Sequence, residues 1–289
     1  MCDEFIHAGL IEDPRLSRRT FGLVSAAAAA AAVATPAFAQ ARAVEKDVAV
    51  KTPDGTCDAA LFYPEGQGNW PGVLIWTDIA GLRPAFRDMG RRLAAQGYVV
   101  LVPNPFYRSA HAPVVGAVFD FNDAEQRNKL FSYRAAMKDD GVDRDATAYV
   151  AFLDAQPQTN KNRKVGVQGY CMGGSLTFRT AAAAPSRIAA VGSFHGGNGL
   201  VTKDADSPHL LIPKTNATFL VCQAQNDDKM QPQVKDELKT AFTAAHRPAT
   251  VEVYHADHGW CVPGGAVYNQ AEAERAWTAL GALYKSALG

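Results

Sequence analysis

The run Gly169-Tyr170-Cys171-Met172-Gly173-Gly174 sets one thiol between an apolar stretch, Lys164 to Gln168, and an alanine-rich helical pattern from Ser175 to Ala184. A sharp strand-to-helix turn needs a strained central residue, with small residues two before and two after so that neighbouring backbone can close in. Gly169 and Gly173 supply them. Sulfur at such an apex faces the N-terminus of the next helix, whose unpaired N–H groups and dipole favour a thiolate and a developing oxyanion. A lone cysteine between apolar segments is ordinarily a small buried hydrophobe; the flanking glycines argue for a nucleophile.

A thiol nucleophile needs a base, and the base needs a group to orient it. His258 follows the apolar run Thr250 to Tyr254, and Asp227 with Asp228 follows Thr218 to Gln223. Asp227 is the expected acid and Asp228 an exposed loop charge. His258 would take the thiol proton and later protonate the leaving alkoxide, while the carboxylate fixes the imidazole tautomer. His195, in Phe194-His195-Gly196-Gly197, ends another strand and is either a substrate contact or a structural loop histidine. Trp76, Phe106, Tyr107 and Trp260 read as pocket wall or core, with Trp260 also a candidate substrate contact. His255, His258 and Cys261 are spaced three apart, but that spacing converges only on a helix and Gly259 interrupts it. Neither a metal nor a cofactor is expected.

These groups must be positioned by elements that the pattern makes legible. Val44 to Val50 and Cys57 to Tyr63 alternate around Thr52-Pro53-Asp54-Gly55, predicting an antiparallel hairpin. Buried-type strands are predicted at Val73 to Trp76, Tyr98 to Val102, Val165 to Gln168, Ile188 to Phe194, Thr218 to Gln223 and Thr250 to Tyr254. Helices are predicted at Pro84 to Gln96, Arg144 to Ala155, Gly174 to Ala184, Gln233 to Ala245 and Ala271 to Leu288. The polar stretch from Asn104 to Asp143 resists assignment, with room for a helix bordering the site. The alternation predicts an α/β fold with a mostly parallel sheet and helices on both faces. Catalytic groups are then expected on loops at the carboxyl ends of the strands. The chain order nucleophile, acid, histidine is that of the α/β-hydrolase triad.

Of 289 residues, 47% are hydrophobic and 20% charged, and 29 Lys+Arg balance 29 Asp+Glu. That composition is globular, and the zero formal charge recommends neither nucleic acid nor an anionic membrane as partner. A small molecule is the expected partner. Ser17-Arg18-Arg19-Thr20-Phe21, an alanine stretch through Val33 and Ala37-Phe38-Ala39 look like a twin-arginine export signal over residues 1–39, cleaved near Ala39. The expected product is a single periplasmic domain, 40–289, without a stable membrane anchor and with only transient contact to the export machinery. Cys57, Cys222 and Cys261 would be free to pair in that compartment, but no disulfide is assumed.

Taken jointly, Gly169 to Gly174, Ala224-Gln225-Asn226-Asp227 and Ala256-Asp257-His258-Gly259 resemble the dienelactone hydrolase family. Asp78-Ile79-Ala80-Gly81-Leu82, Leu93 to Tyr98 and Pro103 extend the resemblance over about Val44 to Leu288. It implies an α/β-hydrolase with a Cys171, Asp227, His258 triad and oxyanion donors in the backbone N–H groups of Met172 and Ile79. It also implies an auxiliary carboxylate, usually Glu, that helps deprotonate the resting thiol; here the position holds the shorter Asp78. Family members acting on dienelactone carry an arginine four positions after the histidine to grip a substrate carboxylate, where this chain has Val262. Arg127, Arg83 and Arg87 are the alternative clamps. The implied activity is hydrolysis of a small ester or lactone through a cysteinyl thioester. Acyl transfer or peptide cleavage by the same triad, and ligand binding without turnover, are the rival readings.

Overall fold

The computed structural model describes residues 42–116 and 119–289; the export-signal reading of residues 1–39 lies outside them. β1 (Ala43–Thr52) and β2 (Gly55–Pro64) form the hairpin, paired from Ala43↔Pro64 to Thr52↔Gly55. Thr52 Oγ1 donates to the Gly55 carbonyl at 3.2 Å and accepts the Asp54 N–H, and Gly55 takes φ 144°. Pro53 and Asp54 thus make the two-residue turn that their types favour. β1 lies at the sheet edge and carries Glu45, Lys46, Asp47 and Lys51. Charges on an edge discourage pairing with another chain.

β3 (Gly72–Trp76), β4 (Val99–Pro103), β5 (Val165–Tyr170), β6 (Ile188–Phe194), β7 (Thr218–Ala224) and β8 (Ala249–Tyr254) complete an eight-stranded sheet in the order β1-β2-β4-β3-β5-β6-β7-β8. β2 meets β4 antiparallel and every pairing from β4 to β8 is parallel. β3, β4 and β5 are buried throughout, because both faces are covered. Continuous Val/Leu/Ile runs are the sequence form of such strands.

One face is covered by α1 (Pro84–Ala95) and α7 (Gln270–Leu288), whose Phe86, Leu93, Leu280 and Tyr284 pack on Val73, Ile75 and Val100. The other is covered by α2 (Ala124–Ala136), α3 (Asp139–Ala155), α4 (Met172–Ala183) and α6 (Val234–Ala244), through Leu130, Tyr149, Phe178 and Phe242. Burying each such large apolar side chain contributes roughly 1.5–3 kcal/mol. A polar thread crosses the first face: Tyr284 Oη donates to Gln168 Oε1 at 3.0 Å, and Gln168 Nε2 donates to Tyr170 Oη at 2.8 Å. A buried amide is thereby satisfied on both ends.

The unassigned polar stretch contains α2, capped by Asp123, which accepts from the N–H groups of Glu125 and Gln126. Leu130 is its one buried residue, so the apolar pattern that announces a helix is missing. α3 begins at Asp139, five residues before the predicted Arg144. Its opening, Asp139-Asp140-Gly141, holds no apolar period, but carboxylates suit a helix N-terminus, and Arg179 on α4 reaches Asp139 and Asp143 at 3.2 and 2.8 Å. Among the described residues no helix is long and apolar enough to cross a membrane.

Candidate active site

The turn between β5 and α4 holds Cys171 at φ 54° and ψ −118°, a conformation that costs on the order of 1–3 kcal/mol in a non-glycine residue. The glycines around it are steric requirements. A Cβ on Gly169 would lie 2.1 Å from the Gly173 carbonyl oxygen, and one on Gly173 would lie 2.5 Å from that of Thr77 and 2.6 Å from that of Trp76. The elbow therefore seats directly on the chain leaving β3. Ile79 follows two residues later and Met172 opens α4, both buried. Two strand ends that are far apart in sequence thus bring the expected oxyanion donors to one place, at the carboxyl edge of adjacent parallel strands.

Asp227 sits in the first turn of α5 (Gln225–Met230) after β7, and His258 on the loop after β8. Asp227 Oδ2 lies 2.8 Å from His258 Nδ1, and both side chains are 3% exposed. The neighbouring Asp228 instead takes Lys235 Nζ at 2.6 Å. Asn226 has no role that the sequence pattern predicts, yet its Oδ1 accepts the His258 N–H at 2.8 Å and the Asp227 N–H at 3.1 Å, locking the acid and base loops together. Its signal is its type: Asn side chains readily bond nearby backbone in turns.

His195 stands between nucleophile and base. Its Nδ1 accepts the Cys171 N–H at 3.1 Å, and its ring centroid lies 4.8 Å from that of His258 and 5.1 Å from that of Trp260, edge-on to both. Burial, reinforced by His258, holds its pKa well below the usual histidine range, so the ring is neutral. Trp260 is wholly buried and stacked on Tyr254.

Asp78 is buried after β3, and both of its oxygens are taken: Oδ1 by Arg83 Nη1 at 2.6 Å and the Ala80 N–H at 2.9 Å, Oδ2 by Arg83 Nη2 at 2.8 Å. The candidate clamps are likewise committed to the protein. Arg87 pairs with Glu45 and Asp47, and Arg127 on α2 donates to the Phe121 and Asn122 carbonyls. Val262 is buried. Arg83 and Arg87 are thus paired with carboxylates, whereas Arg127 rests on carbonyl oxygens and keeps its charge.

His255 is exposed while His258 and Cys261 are buried, and among the described residues no three His, Cys, Asp or Glu side chains gather as a metal site. Cys57, Cys222 and Cys261 are free thiols. Burial pushes Cys57 and Cys222 up to about 12 and Cys261 well above the ordinary thiol value, which makes them poor nucleophiles at neutral pH.

The sequence matches the dienelactone hydrolase family over residues 57–288. The chain belongs to the dienelactone hydrolase family. It is similar to a carboxymethylenebutenolidase of Rhodococcus opacus, 26% identical over 194 residues that cover 67% of this chain and 71% of the relative. A carboxymethylenebutenolidase of Pseudomonas sp. strain P51 is 37% identical over 129 residues, 44% of this chain and 51% of that protein. A solved chain from Klebsiella pneumoniae, provisionally named a dienelactone hydrolase, superposes with a TM-score of 0.72 at 22% identity, over 84% of this chain and 98% of its own. The fold is the α/β-hydrolase fold, as the alternation of strands and helices predicted, and this dienelactone hydrolase family member is a hydrolase of the ester and lactone class.

Proposed function

We propose that the protein hydrolyses a small, uncharged carboxylic ester or lactone through a thioester on Cys171. The carrying observation is the buried Asp227–His258 pair at 2.8 Å, with one imidazole, His195, touching both the His258 ring and the Cys171 amide.

With Nδ1–H bonded to Asp227, His258 presents its Nε2 lone pair as the base. The Cys171 proton passes to Nε2 and the thiolate attacks the carbonyl carbon. The resulting oxyanion is held by the Met172 N–H at the start of α4 and the Ile79 N–H on the loop after β3. Collapse expels the alkoxide, which takes the proton from His258 and leaves as alcohol. Water then gives a proton to His258 and its oxygen to the acyl carbon; the thiolate departs, is reprotonated, and the carboxylic acid is released. Asp227 stabilises the imidazolium in both halves.

The uncharged substrate follows from electrostatics. Arg83 is neutralised by Asp78 and Arg87 by Glu45 and Asp47, Arg127 is held on α2 by the Phe121 and Asn122 carbonyls, and Val262 stands where the family resemblance implies a guanidinium for a dienelactone substrate. An incoming carboxylate would lose hydration with no dedicated cation to replace it. We further propose that residues 1–39 direct export and that the enzyme works in the periplasm; fractionation of cells bearing Arg18→Lys/Arg19→Lys should retain the protein in the cytoplasm.

The test is a panel of esters and lactones graded in size and charge, run on the protein and on Cys171→Ala. Neutral members should turn over with wild type only, and quenched reactions should carry one acyl group on Cys171 by mass spectrometry. A dominant transfer product with added amines or alcohols would replace hydrolysis by acyl transfer. Undiminished turnover by Cys171→Ala would end the thioester reading.

A further inference from the structure

His195 has features that neither the triad nor the oxyanion hole requires. It is wholly buried, yet it is one of the three described non-glycine residues with positive φ, at 38°, and another is Cys171. The two strained residues face each other across the ends of β5 and β6. The Cys171 N–H is shared between the Phe194 carbonyl at 3.0 Å and His195 Nδ1 at 3.1 Å. His195 is itself anchored from the other side, its N–H donating to the Cys222 carbonyl of β7 at 2.8 Å. Its loop is pressed on the elbow helix: a Cβ on Gly174 would come within 2.9 Å of Gly196 Cα.

We propose that His195 is a positioning residue for the reaction: its Nδ1 lone pair fixes the peptide preceding the Cys171 sulfur while its ring edge sets the plane of the His258 imidazole. A conformation as sparse as that of Cys171 persists only where its surroundings over-determine it. Here an acceptor on the nucleophile's own amide does so, and it belongs to the side chain against which the base packs. Nucleophile and base are thereby referenced to one rigid ring, which protects their mutual geometry from small shifts of the loop after β8. Accepting through Nδ1 requires a lone pair there, so the neutral ring carries its proton on Nε2. That atom is buried with no conventional acceptor among the described residues, and the Trp260 ring adjoins the imidazole in a T-shaped contact, 5.1 Å between centroids. An imidazole held neutral by its site keeps that lone pair available.

This inference rests on the proposed thioester chemistry, and the experiment separates the two. His195→Asn puts an amide oxygen near the place of Nδ1 and tolerates positive φ; His195→Gln reaches towards the place of Nε2; His195→Leu removes the Nδ1 acceptor and the Nε2 donor together. All are compared with wild type for kcat and KM on a nitrophenyl ester, for the rate of Cys171 alkylation by iodoacetamide, and for Tm. His195→Asn is expected within about fivefold of the wild-type kcat, whereas Gln and Leu fall roughly 100-fold with KM changed less than threefold, the scale of a misplaced reacting group. Alkylation should slow in parallel, and a kcat loss in Leu that exceeds Asn at matched Tm excludes a merely structural role. Leu at wild-type kcat, Asn as poor as Leu at equal Tm, or a loss confined to KM would each overturn the assignment. A wild-type enzyme that forms no acyl-cysteine would instead refute the proposed function.

Discussion

Arg83 grips Asp78 fork to fork, Nη1 on Oδ1 at 2.6 Å and Nη2 on Oδ2 at 2.8 Å, with both side chains buried. Parallel charge-assisted bonds of this kind are strong and geometrically selective. The same carboxylate accepts the Ala80 N–H, and Arg83 also reaches the Gly81 carbonyl at 3.3 Å. The pair therefore staples the loop that carries Ile79 to the start of α1.

Breaking that staple from one side should be costly. Arg83→Met leaves a buried carboxylate without its cation, and a loss of about 3–5 kcal/mol is expected in urea unfolding. The double variant Asp78→Leu/Arg83→Met should recover most of it, because no isolated charge remains.

Asp227→Asn should lower kcat on the order of 10⁴-fold with little change in Tm, since an amide in that place favours the wrong imidazole tautomer. Asp228→Asn, which loses only the contact to Lys235, should stay close to wild type. Steady-state kinetics on one neutral ester distinguishes them.

Two glycine substitutions should move stability in opposite directions. Gly169→Ala forces a methyl against the Gly173 backbone and the Thr177 side chain, and about 3 kcal/mol or an unfolded product is expected. Gly281, inside α7, has open space around its missing Cβ and no positive φ, so Gly281→Ala should raise stability by roughly 0.5–1 kcal/mol.

Stability should decline on the alkaline side. Burial raises the folded-state pKa of Cys57 and Cys222 from 9.0 to about 12, so between those values the unfolded chain has lost protons that the folded chain keeps. Their contribution is intact below pH 9 and disappears as pH climbs towards 12. Urea midpoints measured from pH 7 to 11 should fall, and fall less steeply in Cys57→Ala.

The acid side has the same origin, burial of a titratable group, with the opposite sign. His195 is held neutral in the fold, its pKa depressed first by burial and then by His258. Below the ordinary histidine pKa near 6.5 the unfolded chain gains a proton that the native one refuses, and stability drops as pH falls. His195→Asn should flatten that limb.

The sequence by itself determined the strand and helix order, because a sheet covered on both faces writes itself as short apolar runs such as Val73 to Trp76, divided by capped, periodic helices. It also determined the elbow, since only small residues at 169 and 173 let the turn touch the chain leaving β3. What local pattern could not carry were contacts whose partners lie far apart or whose energy is electrostatic. α2 and the first turn of α3 lack an apolar period and are held by caps and by Arg179. The Asp78–Arg83 pair spans only five residues, yet no periodicity distinguishes it from two solvated charges. Local pattern leaves His195 either a substrate contact or a structural loop histidine, and only folding, which sets β6 beside β5, places its Nδ1 on the Cys171 amide. Tertiary structure decides such roles because a polar side chain takes its function from what surrounds it once water has been removed.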